Sequence, residues 1–347
     1  MKILGLSAKA PSRRVSNDDV VSILEQKSAP CFKGDLEKVV QEVSSTLEKS
    51  GIRNRFWFDK NEPWYPLMAK AIDEALEQAQ LKKEDIDFVI YGSVFRRVLE
   101  PGMSTLISAA YGLHRAECMD LVEACAGWAR SMQVAQNFLK GNIYKNILIL
   151  NAEAGVHEGE YGHETFALEN ESDLEWSYPI LTLGEAISAT VVGQGQEDIM
   201  FKWASYPQYA DLCSIALPDS SPEGNVLGDI VIRGDLPKKF RCFSKKMNTV
   251  GFKRMTKLGV ETLNYLKDAD VAVSHSHSHQ PFQRALERFG VNIPLLCAYY
   301  EYGNVASCSF PLAMMDGQQK DILTTGRKLY FMMSAAGLSL GVMYMKF

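Results

Sequence analysis

The chain has 347 residues, enough for one large α/β domain or two domains of ordinary size. Hydrophobic residues make up 46% of it and charged residues 23%, which is the balance of a globular protein with a sizeable core. Its net charge of −5 at pH 7 excludes a global basic field of the kind that attracts nucleic acid, so we expect no nucleic-acid partner.

Seven cysteines are spread along the chain without a CxxC pair. An odd number at wide spacing argues against a disulfide framework and for a reducing compartment. The N-terminal stretch MKILGLSAKAP has too short an apolar run for a signal peptide. No segment approaches the ~18 consecutive apolar residues of a membrane span. We therefore expect a cytoplasmic protein without membrane association.

Short apolar runs alternate with segments of helical period in the first half of the chain. The predicted order is a strand at 2–6, a helix at 66–79, a strand at 87–92, a helix at 104–111, a strand at 119–123, a helix opening at Cys125 and a strand at 146–151. Buried strands that alternate with helices predict an α/β layered architecture.

The second half repeats this order at low residue identity. It reads as a strand at 199–205, a helix at 252–266, a strand at 270–275, a helix at 281–289, a strand at 295–300, a helix opening at Asn304 and a strand at 328–333. The repeated order predicts a duplicated α/β unit, with halves at 1–195 and 196–347 and an acidic cap insertion at 156–178. The repeat places Cys125 and Asn304 at corresponding positions.

Cys125 stands where a predicted strand gives way to a helix. The unpaired N–H groups and the positive dipole end of a helix N-terminus stabilise a thiolate, so we expect the pKa of this thiol to be lowered. Small neighbours such as Ala124 and Gly127 leave room for a substrate to reach the sulfur. The competing interpretation is a buried structural cysteine, which is common.

Three histidines alternate in the segment VAVSHSHSHQPFQRAL, and in an extended chain all three point one way. They could hold a metal such as zinc, but no HxxxH, CxxC or nearby carboxylate motif completes such a site, so we predict none. In the other interpretation His279 is the proton-handling partner of Cys125, and His275 and His277 are supporting or incidental. Asn304 either caps the next helix or donates its amide to an oxyanion or enolate.

Together these segments resemble the ketoacyl synthase III family of the thiolase fold. The stretch ACAGWARSMQVAQNFLKGNIYKNILILNAE is similar to the nucleophile segment of that family, HQPFQRALERFG to its histidine segment and YGNVASCSFPLAM to its asparagine segment. SGIRNR at 50–55 resembles the family's N-terminal signature. The resemblance covers nearly the whole chain in the right order.

The resemblance implies a homodimer of five-layered αβαβα subunits and a β-ketoacyl synthase. Cys125 would take an acyl group from a thioester of coenzyme A or of an acyl carrier protein. His279 and Asn304 would stabilise the enolate left when a malonyl-type thioester loses CO₂, and that carbanion would attack the acyl-cysteine. The backbone N–H groups of Cys125 and Gly337 would form the oxyanion hole. Arg284 would meet phosphate at the mouth of the pantetheine tunnel, and no cofactor besides the thioester substrates is implied.

Several positions depart from the family pattern. Ser45 stands where an aromatic residue often stacks on adenine, and Lys49 replaces a frequent arginine, which favours a carrier-protein donor. Glu100 stands where an apolar residue reaches into the partner's acyl pocket, which indicates a polar or unusual acyl group unless it is an ordinary solvated loop residue. With the altered loops GEAISA and SAAGLSLG, these changes point to specialised metabolism of polyketide or fatty-acid-derived products.

Three alternatives stay open beside condensation. An acyltransferase on the same scaffold would pass the acyl group to an alcohol or amine, and a subunit of a heteromeric ketosynthase-like complex would serve as a binding half. GLSLG at 337–341 matches the GxSxG elbow of an α/β-hydrolase around Ser339. That elbow requires a later histidine, and none follows Ser339, which argues against the hydrolase.

Overall fold

The computed structural model describes residues 1–216, 225–227, 230–232 and 239–347. The strands in these ranges are β1 (Lys2–Lys9), β2 (Arg13–Ser16), β3 (Asn54–Trp57), β4 (Phe88–Tyr91), β5 (Glu117–Asp120), β6 (Asn146–Glu153), β7 (Ala186–Gly193), β8 (Met200–Ser205), β9 (Cys213–Ile215), β10 (Asn225–Leu227), β11 (Ile230–Ile232), β12 (Phe240–Cys242), β13 (Val271–Ser274), β14 (Leu295–Leu296), β15 (Lys328–Ala335) and β16 (Ser339–Lys346). The helices are α1 (Asn17–Ser28), α2 (Leu36–Ser50), α3 (Trp64–Ala79), α4 (Met103–Tyr111), α5 (Gly127–Lys140), α6 (Leu174–Ser177), α7 (Ser244–Glu261), α8 (Leu263–Asp268), α9 (Gln280–Arg288), α10 (Tyr299–Tyr302) and α11 (Ser309–Gln319).

Two five-stranded sheets share one topology. The first has the order β1-β7-β6-β4-β5, and the second has the order β8-β16-β15-β13-β14. In each sheet the first two pairings are antiparallel and the last two are parallel. The α/β class and the duplication are therefore confirmed. The borders of the halves and of the cap insertion stay predictions.

The two sheets enclose a central layer formed by α5 and α11. Helix α5 buries one stripe that contains Trp128 and Met132. The rings of Trp128 and Phe310 lie 5.9 Å apart, and both contact Phe331 of the second sheet. Helices α3 and α4 cover the outer face of the first sheet, and α7 and α9 cover that of the second. Stacking amphipathic helices on both faces of each sheet gives the five-layered αβαβα arrangement.

Both central helices begin in the same way. A 3-10 turn, Ala124–Ala126 in the first half and Ala306–Cys308 in the second, leads into each helix. Its first residue is left-handed in both cases, with φ of 44° at Ala124 and 41° at Ala306. Cys125 therefore corresponds to Ser307, and the predicted correspondence with Asn304 is wrong. Helix α10, inserted after β14, shifts the spacing of the second half.

Gly127, the first residue of α5, lies against the end of β4. A Cβ atom on it would sit far inside van der Waals contact with the Gly92 carbonyl oxygen. We expect Gly127→Ala to destabilise the protein by about 1–3 kcal/mol or more, since overpacked backbone cannot yield as a side chain does. Gly251 inside α7 has nothing within 4 Å of such a Cβ, so Gly251→Ala should stabilise by about 0.5–1 kcal/mol. Urea unfolding measures both changes, and equal stability of the two variants would refute this packing.

Candidate active site

Cys125 lies on two cavities that share part of their walls. The first, here called the apolar cavity, has a volume of about 280 Å³ and includes Val94, Ile180 and Leu183 in its lining. The second, here called the imidazole cavity, has a volume of about 230 Å³ and is lined by His275 and His277 among others. Asn304 lines both cavities, so the thiol, the carboxamide and two imidazoles come together around one space.

The Cys125 thiol is not the thiolate that its place before a helix predicts. Burial raises the pKa of this thiol to about 12, and the Glu153 carboxyl group adds to the shift. The expected lowering of the pKa is therefore wrong, because removal from water penalises the charged form more than the helix terminus favours it. At neutral pH the residue is a thiol that must lose a proton as it reacts.

Alkylation measures this protonation state directly. We expect the rate at which iodoacetamide labels Cys125 to rise about tenfold per pH unit through the neutral range, because the thiolate fraction is far from saturation. The same residue in urea-unfolded protein should level off near its ordinary pKa of about 8.5. A plateau near pH 7 in the folded protein would mean that a thiolate is stabilised after all.

His275 follows the last residue of β13 and is only 2% exposed. Its Nδ1 lies 3.0 Å from Nδ1 of His277, so one of the two atoms donates to the other, and the rings stack with centroids 5.1 Å apart. Burial lowers the pKa of His275 well below its usual value and that of His277 to about 4. Both rings are thus neutral at pH 7. Nε2 of His275 is buried beside the cavity that contains Cys125, and it has no hydrogen-bond partner among the residues that the structure describes.

Asn304 lines the imidazole cavity together with this histidine. Its Oδ1 accepts a hydrogen bond of 3.0 Å from the backbone N–H of Ala306. The nearby carboxamide of Asn304 partly opposes the lowering of the His275 pKa by burial and by His277. The side chain is 9% exposed. With Oδ1 engaged by the backbone, the amide NH₂ remains as a donor for a group in the cavity that Asn304 lines.

His279 is not part of this arrangement. It is the N-cap residue of α9, and its ring packs on Tyr300 at a centroid distance of 5.0 Å. It lines neither cavity at Cys125. The structure therefore does not bring His279, the predicted imidazole, to the cavity that Cys125 lines, because β13 ends at Ser274 and the chain then turns. His275 and His277 stay at the cavity, and the turn carries His279 away from it.

The remaining predicted positions lie around the rim. Ala336 lines both cavities, and the neighbouring Gly337 has φ of 129°. Arg284 is exposed at the edge of a third cavity, which lies beneath α7 and has a volume of about 370 Å³. His277 lines this third cavity as well. Lys49 is exposed in the last turn of α2, next to Ser50 of the imidazole cavity.

Glu100 is exposed in a loop that also exposes 71% of the Leu99 side chain, and it lines none of these three cavities. In the part of the chain that the structure describes, no group of three His, Cys, Asp or Glu side chains could hold a metal ion. The zinc interpretation of the three histidines therefore finds no ligand set there. Among the same residues, no helix has the length and apolarity to cross a membrane.

Glu153 is a cavity residue that the sequence analysis missed. It ends β6, lines the apolar cavity with Cys125, and accepts a hydrogen bond from the Ser307 hydroxyl. Burial raises the pKa of this carboxyl to about 7, although hydrogen bonds from Ser307 and Ser93 oppose the shift. A single charged residue at the end of the otherwise uncharged run NILILNAE was the available signal, because polar groups at strand ends build sites in α/β folds.

No protein-family model matches the chain. The β-ketoacyl-[acyl-carrier-protein] synthase III of Aliarcobacter butzleri is 26% identical over 334 residues, which cover 90% of this chain and 92% of the relative. The synthase of the same name from Clostridium acetobutylicum is 22% identical over 354 residues, covering 100% of this chain and 98% of the relative.

Solved structures also match nearly the whole length of the chain. A cysteine-to-serine variant of OleA from Xanthomonas campestris, solved with lauric acid and lauroyl-CoA, superposes with a TM-score of 0.81 at 18% identity, covering 99% of this chain and 98% of that one. The 3-oxoacyl-[acyl-carrier-protein] synthase III of Aquifex aeolicus gives a TM-score of 0.75 at 17% identity, with 100% and 99% covered. The chain is thus similar in sequence, over nearly its whole length, to β-ketoacyl-[acyl-carrier-protein] synthase III enzymes, and it has the thiolase fold.

Proposed function

We propose that the protein condenses an acyl group held on Cys125 with a malonyl-type thioester, with loss of CO₂. The observation that carries the proposal is the imidazole cavity, which is lined by Cys125, Asn304 and His275. Within the described part of the chain, Nε2 of His275 has no hydrogen-bond partner. A thiol, a neutral imidazole and an amide donor are the groups that acyl transfer followed by enolate stabilisation needs.

Acylation is the first step. The sulfur of Cys125 attacks the thioester carbonyl and loses its proton, and the departing thiolate gains one, so no net proton is released. Neutral His275, in the tautomer with a bare Nε2, carries that proton. The backbone N–H groups of Cys125 and Gly337 are proposed to hold the oxyanion. The apolar cavity takes the acyl chain, with Val94 and Ile180 in its wall.

Condensation is the second step and uses the other tautomer of the same ring. If Nδ1–H of His277 donates to Nδ1 of His275, Nε2–H of His275 becomes a donor toward the cavity. Together with the amide of Asn304 it stabilises the enolate oxygen as the C–CO₂ bond breaks. The enolate carbon then attacks the acyl carbonyl, and the thiolate of Cys125 leaves. Simple acyl transfer has no enolate, so the second donor favours condensation.

The thioester donor is proposed to be a carrier protein. Helix α7 borders the cavity whose rim includes Arg284, and the same helix exposes Lys245, Lys246, Lys253 and Lys257. In a chain of net charge −5, this concentration of positive charge suits an anionic, phosphate-bearing donor. Lys49 is the further proposed contact. Coenzyme A thioesters are the alternative donors, and the reaction is proposed to need no other cofactor.

Loop 99–101 supports a homodimer. Its exposed Leu99 and Glu100 suit a segment that enters the partner subunit, where Glu100 would meet a polar part of the acyl group. Cytoplasmic, specialised polyketide or fatty-acid-derived metabolism is the proposed setting.

Carboxyl-labelled malonyl thioester separates condensation from simple acyl transfer. We expect enzyme, acyl thioester and malonyl carrier protein to release labelled CO₂ in step with a β-keto product, because decarboxylation creates the carbon nucleophile. The same mixture without the acyl donor is the control. Transfer of the acyl group to an alcohol or amine without CO₂ would favour the acyltransferase instead.

A further inference from the structure

Cys213 and Cys242 lie directly opposite each other on neighbouring strands. Strand β9 pairs antiparallel with β12, and the register sets Cys242 against Cys213. The backbone N–H of Phe243 donates to the carbonyl oxygen of Leu212 at 2.8 Å, which makes that pair a hydrogen-bonded one. The adjacent cysteine pair is then of the non-hydrogen-bonded type, where the two Cα atoms are closest, about 4.5 Å apart, and the side chains meet.

The two thiols already contact each other through hydrogen bonding. The Cys213 thiol is hydrogen-bonded to Cys242, and this raises the pKa of Cys213 because its S–H is the donor. The Cys242 thiol in turn donates to the Met247 sulfur at 3.5 Å. The raised pKa keeps Cys213 protonated, so Cys242 is the sulfur proposed to react first and Cys213 is the one placed to resolve an intermediate formed on it.

Both thiols also line the imidazole cavity, so a small reagent that reaches Cys125 can reach them. The other cysteines make different contacts. Cys118 donates to the Ser108 hydroxyl at 3.3 Å, and Cys308 donates to the Ala186 carbonyl oxygen at 3.4 Å. Cys297 is directed toward the backbone of His275 at 3.9 Å. Directly opposed strand positions distinguish the pair from these three.

We propose that Cys213 and Cys242 are a modification site that forms a cross-strand disulfide in the cavity wall when a low-molecular-mass disulfide such as oxidised glutathione is present. The Cys242 thiolate attacks one sulfur of the oxidant and releases one thiol. The Cys213 thiolate then attacks the mixed disulfide at Cys242 and releases the second. The protein loses two protons and two electrons, and these convert one oxidant molecule into two thiols.

The bridge joins the strand after the turn Pro207–Leu212 to the strand that leads into α7. It would fix the wall that faces Cys125 and convert two thiols there into one disulfide. The redox state of the thiol pool would then alter the surroundings of Cys125 without consuming Cys125 itself. This inference depends on the strand register and stands whether or not the protein condenses malonyl thioesters.

Differential alkylation of the full-length protein tests the proposal. The protein and its Cys125→Ala variant are incubated with oxidised glutathione, unfolded, alkylated and mapped by mass spectrometry, before and after reduction. Both should lose the mass of two hydrogen atoms, with Cys213 and Cys242 alone protected from alkylation until reduction. Complete alkylation of every cysteine, or a bridge to any other cysteine, overturns the proposal.

Single variants sharpen the test. Cys213→Ser should prevent the mass loss and leave a glutathione adduct on Cys242. Cys242→Ser should also prevent the mass loss, whereas Cys118→Ser should still form the bridge. Mass loss in either partner variant also overturns the proposal. If a variant fails to fold, the peptide map of the unaltered protein decides the question.

Discussion

Cys125→Ala should abolish formation of the acyl-enzyme, with no residual mass increase after incubation with acyl thioesters. The sulfur is the only nucleophile that the account offers, and alanine cannot replace it. Intact-protein mass spectrometry measures the loss. Cys118→Ala is the matched control, because Cys118 is partly buried but lines none of the three cavities, and it should acylate as the unaltered protein does.

Asn304→Ala separates the two steps. We expect acylation to persist and condensation to fall by about 10²–10³, the usual effect of removing one donor from an oxyanion site. The shorter side chain also loses the hydrogen bond to the Ala306 N–H, so its folding is checked by circular dichroism. Equal loss of acylation in the alanine variants of Cys125 and Asn304 would contradict the division of roles.

His275→Ala should lower condensation by about 10²–10⁴, whereas His279→Ala should leave it within a few-fold of the unaltered protein. His275 is buried at the cavity, and its Nε2 bonds to none of the described residues, whereas His279 packs on Tyr300 outside the cavity. Rates of CO₂ release under saturating substrate measure the difference. A large loss in His279→Ala with little change in His275→Ala would instead support His279 as the catalytic imidazole.

The His277→Ala variant should change the pH–rate profile, which the loss of a merely structural residue would not do. Without the Nδ1 contact, His275 samples both tautomers and loses a neighbour that helps lower its pKa. The pKa of His275 should therefore rise, and the acidic limb of the pH–rate profile should move to higher pH. An unchanged profile would show that His277 does not position His275.

The sequence predicted those parts of the site that a local motif defines. Cys125 and Asn304 each begin or precede a central helix, and their neighbouring residues are characteristic enough to single them out. Strand periodicity likewise predicted most of both sheets and their duplication. These features depend on residues close together in the chain, which a linear pattern captures.

The choice among the three histidines depended on something that the sequence does not contain, namely the residue at which β13 ends. Alternating spacing would make them equivalent on a strand, but the turn after Ser274 separates them. The prediction of a lowered pKa for Cys125 was wrong for a related reason. Its burial and the approach of Glu153 come from segments remote in sequence, whereas the helix terminus is local.

The correspondence of Cys125 with Ser307 was hidden in the same way. Counting residues from β14 does not find the position that corresponds to Cys125, because α10 lies between β14 and the central helix. The left-handed backbone at Ala124 and Ala306 shows which positions of the two halves match. This match also gives Ser307 a structural role, because its hydroxyl donates to the Glu153 carboxyl group beside the cavity that Cys125 lines.

A single-turnover chase tests the central claim most directly. Protein carrying a labelled acyl group on Cys125 is isolated, mixed with malonyl carrier protein and followed by intact mass and by CO₂ release. The account predicts that each acyl group lost from Cys125 yields one CO₂ and one β-keto thioester that contains the label. Departure of the label as a free acid, ester or amide, with no CO₂, would contradict it.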